Sequence, residues 1–193
     1  MELILIRHGM TPGNLERRFV GSLDQPLAPQ GEALARAVAP TLPPVEHLYV
    51  SPLTRCQQTA GLLWEGVART TVPNLRETDF GPYEGKCHAE LQDDPVYRRW
   101  LSGELSVGEP IENCNRRAAA ALEEIARDCA ARGWKRAGVV AHGGLFMSML
   151  SQFGVPRRAY YDWLFENCGG YRAELTAAPL MLTVTGAVGK VRE

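Results

Sequence analysis

The chain has 193 residues, 45% of them apolar and 22% charged, with 21 basic side chains against 22 acidic ones. That length favours one domain whose core needs no covalent or metal staple. A net charge of −1 excludes nucleic acid and anionic lipid as bulk partners, because both call for a clear basic excess.

The apolar run Glu2 to Ile6, rich in Leu and Ile, predicts a buried strand. After the turn signal Ala28-Pro29-Gln30-Gly31, the alanine-rich stretch from Gln30 to Ala39 predicts a helix. His47 to Val50 predicts a second strand. It leads into Ser51-Pro52, where Ser51 suits an N-cap and Pro52 a first helical turn, with the helix running to about Trp64. A short extended piece at Thr71-Val72 precedes an irregular stretch from Asn74 to Lys86. Helices are expected over Pro95 to Leu101 and Ile111 to Arg132, and a third strand over Arg136 to Ala141. A helix from about Leu145 to Phe153, another from Pro156 to Trp163, and strands at Ala173 to Thr176 and Leu180 to Thr185 complete the pattern.

Strands alternating with helices define an α/β class: a three-layer α/β/α sandwich around a mainly parallel, mixed sheet. Such sheets carry their sites beyond the carboxyl ends of the strands. Three predicted strands end there in residues of catalytic type: Arg7-His8, Ser51 with Arg55 shortly after, and His142.

A neutral imidazole at His8 suits attack on phosphorus, and the neighbouring Arg7 guanidinium suits grip on non-bridging oxygens. Gly9 permits a sharp turn and close approach of a ligand. Thr11 reads as an N-cap, and the amide of Asn14 as a further donor to a phosphate oxygen. Arg55 near a helix start reinforces an anion site. His142 is followed by Gly143-Gly144 at a helix opening, which favours a bound phosphate. A general acid is required as well, and Glu77, Asp79 and Glu84 all lie in the irregular segment. His47 and His88 have no comparable context.

Taken together, Leu5-Ile6-Arg7-His8-Gly9 with Thr11 and Asn14 resembles the signature of the histidine phosphatase (phosphoglycerate mutase-like) superfamily. Gly21 to Asp24 with Pro26-Leu27 and Gly31, Ser51 to Arg55 with Thr59-Ala60, Leu75-Arg76-Glu77 with Phe80-Gly81, and His142-Gly143 match further motifs in the family's order. The resemblance implies a phosphohistidine on His8 and phosphoryl binding by Arg7, Asn14, Arg55, His142 and Gly143. It gives Glu77 the role of proton donor. Neither a metal nor an organic cofactor is implied. Met10 departs from the Glu or Gln usual in the family, Asp79 stands where some mutases carry a basic residue, and Gly108-Glu109-Pro110 lacks the family's serine.

The short stretch between Glu77 and His142 favours a phosphatase over a cofactor-dependent mutase, with a single domain over 1–193 and a small lid or insert at about 82–115. A catalytically silent phospho-ligand binding protein is the remaining alternative. Compact members of the family include α-ribazole phosphatases and broad-specificity phosphomonoesterases, so a small phosphorylated substrate is expected. Phe19, Tyr83, Tyr97 and Trp100 suit either a substrate pocket or core packing. The oligomeric state is left open, a homodimer being one option. Five cysteines without a C-x-x-C pair suggest reduced thiols. The N-terminus lacks the features of a signal peptide and the segment from Ala137 to Leu150 is too short to span a bilayer, so a cytoplasmic location is expected.

Overall fold

Leu3 to Ile6 are all fully buried, which makes β1 (Glu2–Arg7) a central strand covered on both faces. The computed structural model describes residues 1–189. Around β1 lie β2 (His47–Val50), β3 (Arg69–Thr71), β4 (Arg136–Ala141), β5 (Gly154–Val155), β6 (Gly170–Ala177) and β7 (Leu180–Val188). They form one seven-stranded sheet in the order β3-β2-β4-β1-β6-β7-β5. β1, β2 and β4 run parallel, while β6 pairs antiparallel with β1 and with β7, so the sheet is mixed as expected.

The helices are α1 (Pro12–Leu15), α2 (Pro29–Val38), α3 (Thr54–Leu63), α4 (His88–Leu91), α5 (Pro95–Leu101), α6 (Ile111–Arg132) and α7 (Gly143–Phe153). Because strand side chains alternate between faces, β1 divides its residues between two cores. Leu3 and Leu5 join Ala118, Leu122 and Ile125 of α6 and Leu145, Phe146 and Met149 of α7. Ile4 and Ile6 join Ala35 of α2 and Cys56, Ala60 and Leu63 of α3. Helices on both faces of the sheet give the three layers. Each fully buried Leu or Ile here contributes about 1.5–3 kcal/mol relative to exposure.

A third, smaller cluster gathers Tyr83, Leu91 and Tyr97 with Phe19, Trp100, Leu101 and Val107. The aromatic residues of uncertain role therefore pack chiefly against one another. None of the five cysteines is in a disulfide. Among the described residues no helix is long and apolar enough to cross a membrane.

Several expected elements differ. The helix after β2 begins at Thr54, with Leu53 and not Ser51 at its N-cap. The cap is supplied from a distance: the Asp24 carboxylate accepts from Thr54 N at 2.7 Å and from Thr54 Oγ1 at 2.8 Å. Only a 3₁₀ turn, Tyr160–Trp163, forms where a helix from Pro156 was expected. Val155 immediately before that proline is in β5, in keeping with the extended backbone favoured ahead of proline. The helix α7 starts at Gly143, so the glycine pair belongs to its first turn.

Candidate active site

The parallel register brings the strand ends level. Arg7 lies opposite Ala141 and Val50 opposite Val140. Backbone bonds continue the ladder past the strands, His8 N donating to Ala141 O and Ser51 N to Val140 O, each at 3.0 Å. The next residues out, His8 and His142, therefore face one another with ring centroids 5.1 Å apart. Both are buried.

Two neighbours settle the tautomer of His8. Its Nδ1 lies 2.7 Å from the carbonyl oxygen of Gly9, which only accepts, so Nδ1 carries the proton. Nε2 is then a bare lone pair, and Arg55 Nε donates to it at 3.2 Å. Burial holds the imidazole well below its ordinary pKa, and the positive charges of Arg55 and Arg7 add to the effect. The same causes, led by burial and then Arg55, keep His142 neutral.

Arg55 is fully buried at the start of α3. Its Nη1 donates to Leu23 O at 2.6 Å and its Nη2 to Gly21 O at 2.7 Å, so the loop before α2 fixes the guanidinium plane. That loop is itself tied down by Glu84, which accepts from Ser22 N at 2.6 Å and Phe80 N at 3.1 Å. Thr59 accepts from Gly9 N at 2.9 Å and donates to Arg55 O at 2.6 Å, linking α3 to the turn after His8. Arg7 reaches across to Phe165, donating from Nη1 to its carbonyl at 2.9 Å.

Glu77 sits on the N-terminus of α7. Its Oε1 accepts from Leu145 N at 3.0 Å and Thr78 N at 2.9 Å, and its Oε2 from Gly144 N at 3.1 Å. The free N–H groups of a helix start supply these donors, and together with Thr78 N they fix the carboxyl group in position. This placement separates the three candidate acids. Asp79 accepts from Gly81 N at 2.6 Å in a local turn, and Glu84 is committed to the Gly21-Ser22 loop, so Glu77 alone is carried to the helix that His142 opens.

Asn14 and Thr11 form a capping box, Thr11 N donating to Asn14 Oδ1 at 3.1 Å and Asn14 N to Thr11 Oγ1 at 3.3 Å. Gly143 lies against Arg7, where an added Cβ would meet Nε at an ordinary 3.5 Å. Arg7, His8, Asn14, Arg55, Glu77, His142 and Gly143 thus gather at one end of the sheet.

Gly9 also makes a close contact within the protein. A Cβ there would lie 2.9 Å from Gly31 O, and one on Gly31 only 2.1 Å from Met10 O. The two glycines let the turn after β1 and the first turn of α2 touch backbone to backbone. Ser51, expected as a cap, instead meets His142 Nε2 with its hydroxyl at 2.7 Å. Asn167 carried no signal in the sequence, because its acceptors on His8 and Asn14 are far away along the chain. His47 lies at the opposite end of β2, stacked on Trp134 with centroids 4.2 Å apart. Among the described residues no group of three or more His, Cys, Asp or Glu is placed to hold a metal ion.

Two imidazoles and two arginines brought together at the carboxyl end of a three-layer α/β fold are the groups of a phosphoryl-handling enzyme. The histidine phosphatase superfamily (branch 1) matches residues 3–183, and the chain belongs to it. It is 31% identical over 191 residues to the "Probable phosphoglycerate mutase GpmB" of Enterobacter sp. (strain 638), covering 93% of this chain and 87% of that protein. The phosphoserine phosphatase of Entamoeba histolytica, solved with 3-phosphoglyceric acid, superposes with a TM-score of 0.82 at 25% identity over 98% of this chain and 97% of that one. The α-ribazole phosphatase of Shigella flexneri shares the fold, with a TM-score of 0.81 at 22% identity over the whole of both chains. As a member of this superfamily the chain is an enzyme acting on small phosphorylated metabolites.

Proposed function

We propose that the chain is a metal-independent phosphomonoesterase working through a phosphohistidine on His8. The observation that carries this reading is the bare Nε2 of His8, created by the bond between Nδ1 and Gly9 O. A lone pair held by a buried, neutral imidazole beside fixed guanidinium groups is a nucleophile for phosphorus.

Nε2 attacks the phosphorus atom and the P–O bond to the ester oxygen breaks. Arg7, Arg55, Asn14, His142 and the Gly143 N–H hold the non-bridging oxygens, and Glu77 gives its proton to the leaving oxygen. Glu77 then takes a proton from water as that water attacks phosphorus, the P–N bond breaks, and inorganic phosphate leaves with His8 restored. On this reading the segment 82–115, which carries most of the aromatic cluster, serves as the lid. An α-ribazole phosphate-like or phosphoserine-like ester suits the reading, in view of the two structural neighbours.

A mutase reading is favoured by the Enterobacter relative. There the phosphohistidine returns its phosphoryl group to a second substrate hydroxyl in place of water. One experiment separates the two: phosphate release from a panel of phosphomonoesters that includes α-ribazole phosphate, phosphoserine and 3-phosphoglycerate, in chelator, with isomer exchange of 3-phosphoglycerate followed in parallel. Release without exchange supports the phosphatase, and exchange without release replaces it with the mutase. Loss of all turnover on chelation would contradict metal independence.

A further inference from the structure

The chain doubles back on its nucleophile just before β6. Cys168 N donates to Arg7 O at 2.9 Å and Arg7 N to Gly169 O at 3.0 Å, which sets Asn167 beside His8. The Asn167 side chain then reaches two acceptors from one nitrogen. Its Nδ2 donates to His8 O at 2.9 Å and to Asn14 Oδ1 at 3.3 Å. A primary amide has two N–H bonds on that nitrogen, and both are committed to the nucleophile turn.

Backbone groups decide which end of each carboxamide is which. His8 O only accepts, so the Asn167 atom facing it is nitrogen. Thr11 N only donates, so the Asn14 atom facing it, at 3.1 Å, is oxygen. Asn14 Oδ1 thus takes two donors, Thr11 N and Asn167 Nδ2, and its amide cannot turn over without losing both. What remains available on Asn14 is its NH₂, a donor at the edge of the anion site.

We propose that Asn167 is a positioning residue that locks the Asn14 carboxamide with its NH₂ presented to the bound phosphoryl group. This rests on the phosphoryl site proposed above. An unlocked amide would spend part of its time offering an oxygen to an anion, and that orientation repels it. Asn167 never touches the phosphoryl group and acts only through Asn14.

A double-mutant cycle with inorganic phosphate as the probe tests this on the full-length chain. Phosphate affinity is titrated by calorimetry for wild type, Asn14→Ala, Asn167→Ala and the double variant. Asn167→Asp, which keeps the shape and has neither N–H, is the second probe should the alanine variant not fold. Each single change is expected to weaken phosphate about tenfold, the scale of one hydrogen bond to a charged group, and the double variant to bind no more weakly than Asn14→Ala. Unchanged affinity on altering Asn167, or losses that multiply in the double variant, would overturn the proposal. Turnover of p-nitrophenyl phosphate by the wild type is read separately, so a chain that binds phosphate without hydrolysing esters would count against the phosphatase reading while the cycle still decides the role of Asn167.

Discussion

The Nε–H of Arg55 points at Nε2 of His8 across 3.2 Å, on the lone pair that the proposed reaction uses. An arriving phosphoryl group must take that lone pair, and the Arg55 donor then finds a phosphoryl oxygen instead of the ring. The exchange needs little motion, because Leu23 O and Gly21 O hold the other two nitrogens of the guanidinium.

Arg55→Lys keeps the charge and abolishes this three-point grip. A lysine ammonium offers no planar fork to reach His8 and both carbonyls at once. We expect kcat/KM to fall on the order of a hundredfold or more, the scale of one lost transition-state donor. Steady-state kinetics on p-nitrophenyl phosphate read this directly, and a loss under threefold would mean that Arg55 holds the loop alone.

The depressed pKa values of His8 and His142 make a prediction about acid. Unfolded, each imidazole titrates near 6.5, whereas in the folded protein both stay neutral well below that. Between those limits the unfolded chain binds protons that the folded chain refuses, so stability is full above about pH 6.5 and declines as the pH falls. The nucleophile, by contrast, stays unprotonated through the same window. The acid limb of kcat/KM should therefore lie below the range of an ordinary histidine, with the urea midpoint already falling. An activity limb centred at 6.5 or higher would show that His8 is not shielded in solution.

What was legible in the sequence follows from chain distance. Arg7-His8 and His142 stand at the ends of apolar runs, and a parallel sheet necessarily brings such ends together, so the paired imidazoles and the three layers were readable. Ser51 was misread because a hydroxyl ahead of proline looks like a local cap, while its partner His142 is distant in the chain. Residue type alone left Glu77, Asp79 and Glu84 open and only the motif resemblance favoured Glu77, because its contacts with Gly144 and Leu145 are tertiary. Asn167 was invisible for the same reason, since nothing local marks a side chain whose two acceptors belong to the first strand's turn.

Gly144 is the residue on which Glu77 rests. A Cβ there would lie 2.8 Å from Glu77 Oε1, an atom pinned by two backbone N–H groups and unable to yield freely. Alanine is also the better helix former by about 1 kcal/mol, so Gly144→Ala should leave thermal stability nearly unchanged while displacing the proposed acid. Its kcat/KM, which reports only the steps up to departure of the leaving group, should drop for alkyl phosphates and much less for p-nitrophenyl phosphate, whose leaving group needs no proton. Glu77→Gln should show the same dependence on leaving group. Equal losses for both ester types would remove Glu77 from the acid role.

Gly31 tests the backbone contact behind the nucleophile. Its added Cβ would be 2.1 Å from the carbonyl oxygen of Met10, and that oxygen also accepts from Ala28 N at 2.9 Å. Neither partner is a flexible side chain, so Gly31→Ala must separate α2 from the turn after β1. We expect a cost of about 1–3 kcal/mol by chemical denaturation, accompanied by lower kcat because that turn carries His8. A stable and fully active variant would show that the contact can relax without moving the nucleophile.

Arg117 and Glu109 hold the segment leading into Glu77 from behind. The two side chains are 9% and 8% exposed and paired through two bonds, Nε to Oε1 at 2.7 Å and Nη2 to Oε2 at 2.6 Å. The remaining nitrogen, Nη1, donates to Asn74 O at 3.0 Å and Arg76 O at 2.9 Å, just ahead of Glu77. Arg117→Met leaves the buried Glu109 carboxylate with only the longer contact from Arg76 Nη2 at 3.4 Å and should cost about 3 kcal/mol. Adding Glu109→Leu removes that stranded charge, so the double variant should regain much of the stability in urea unfolding. It should not regain kcat on alkyl phosphates, because the carbonyls of Asn74 and Arg76 still lack their donor and Glu77 is no longer held in place. If stability and kcat recover together, the pair stabilises the fold without positioning the acid; if only stability recovers, Arg117 reaches the chemistry through those two carbonyls.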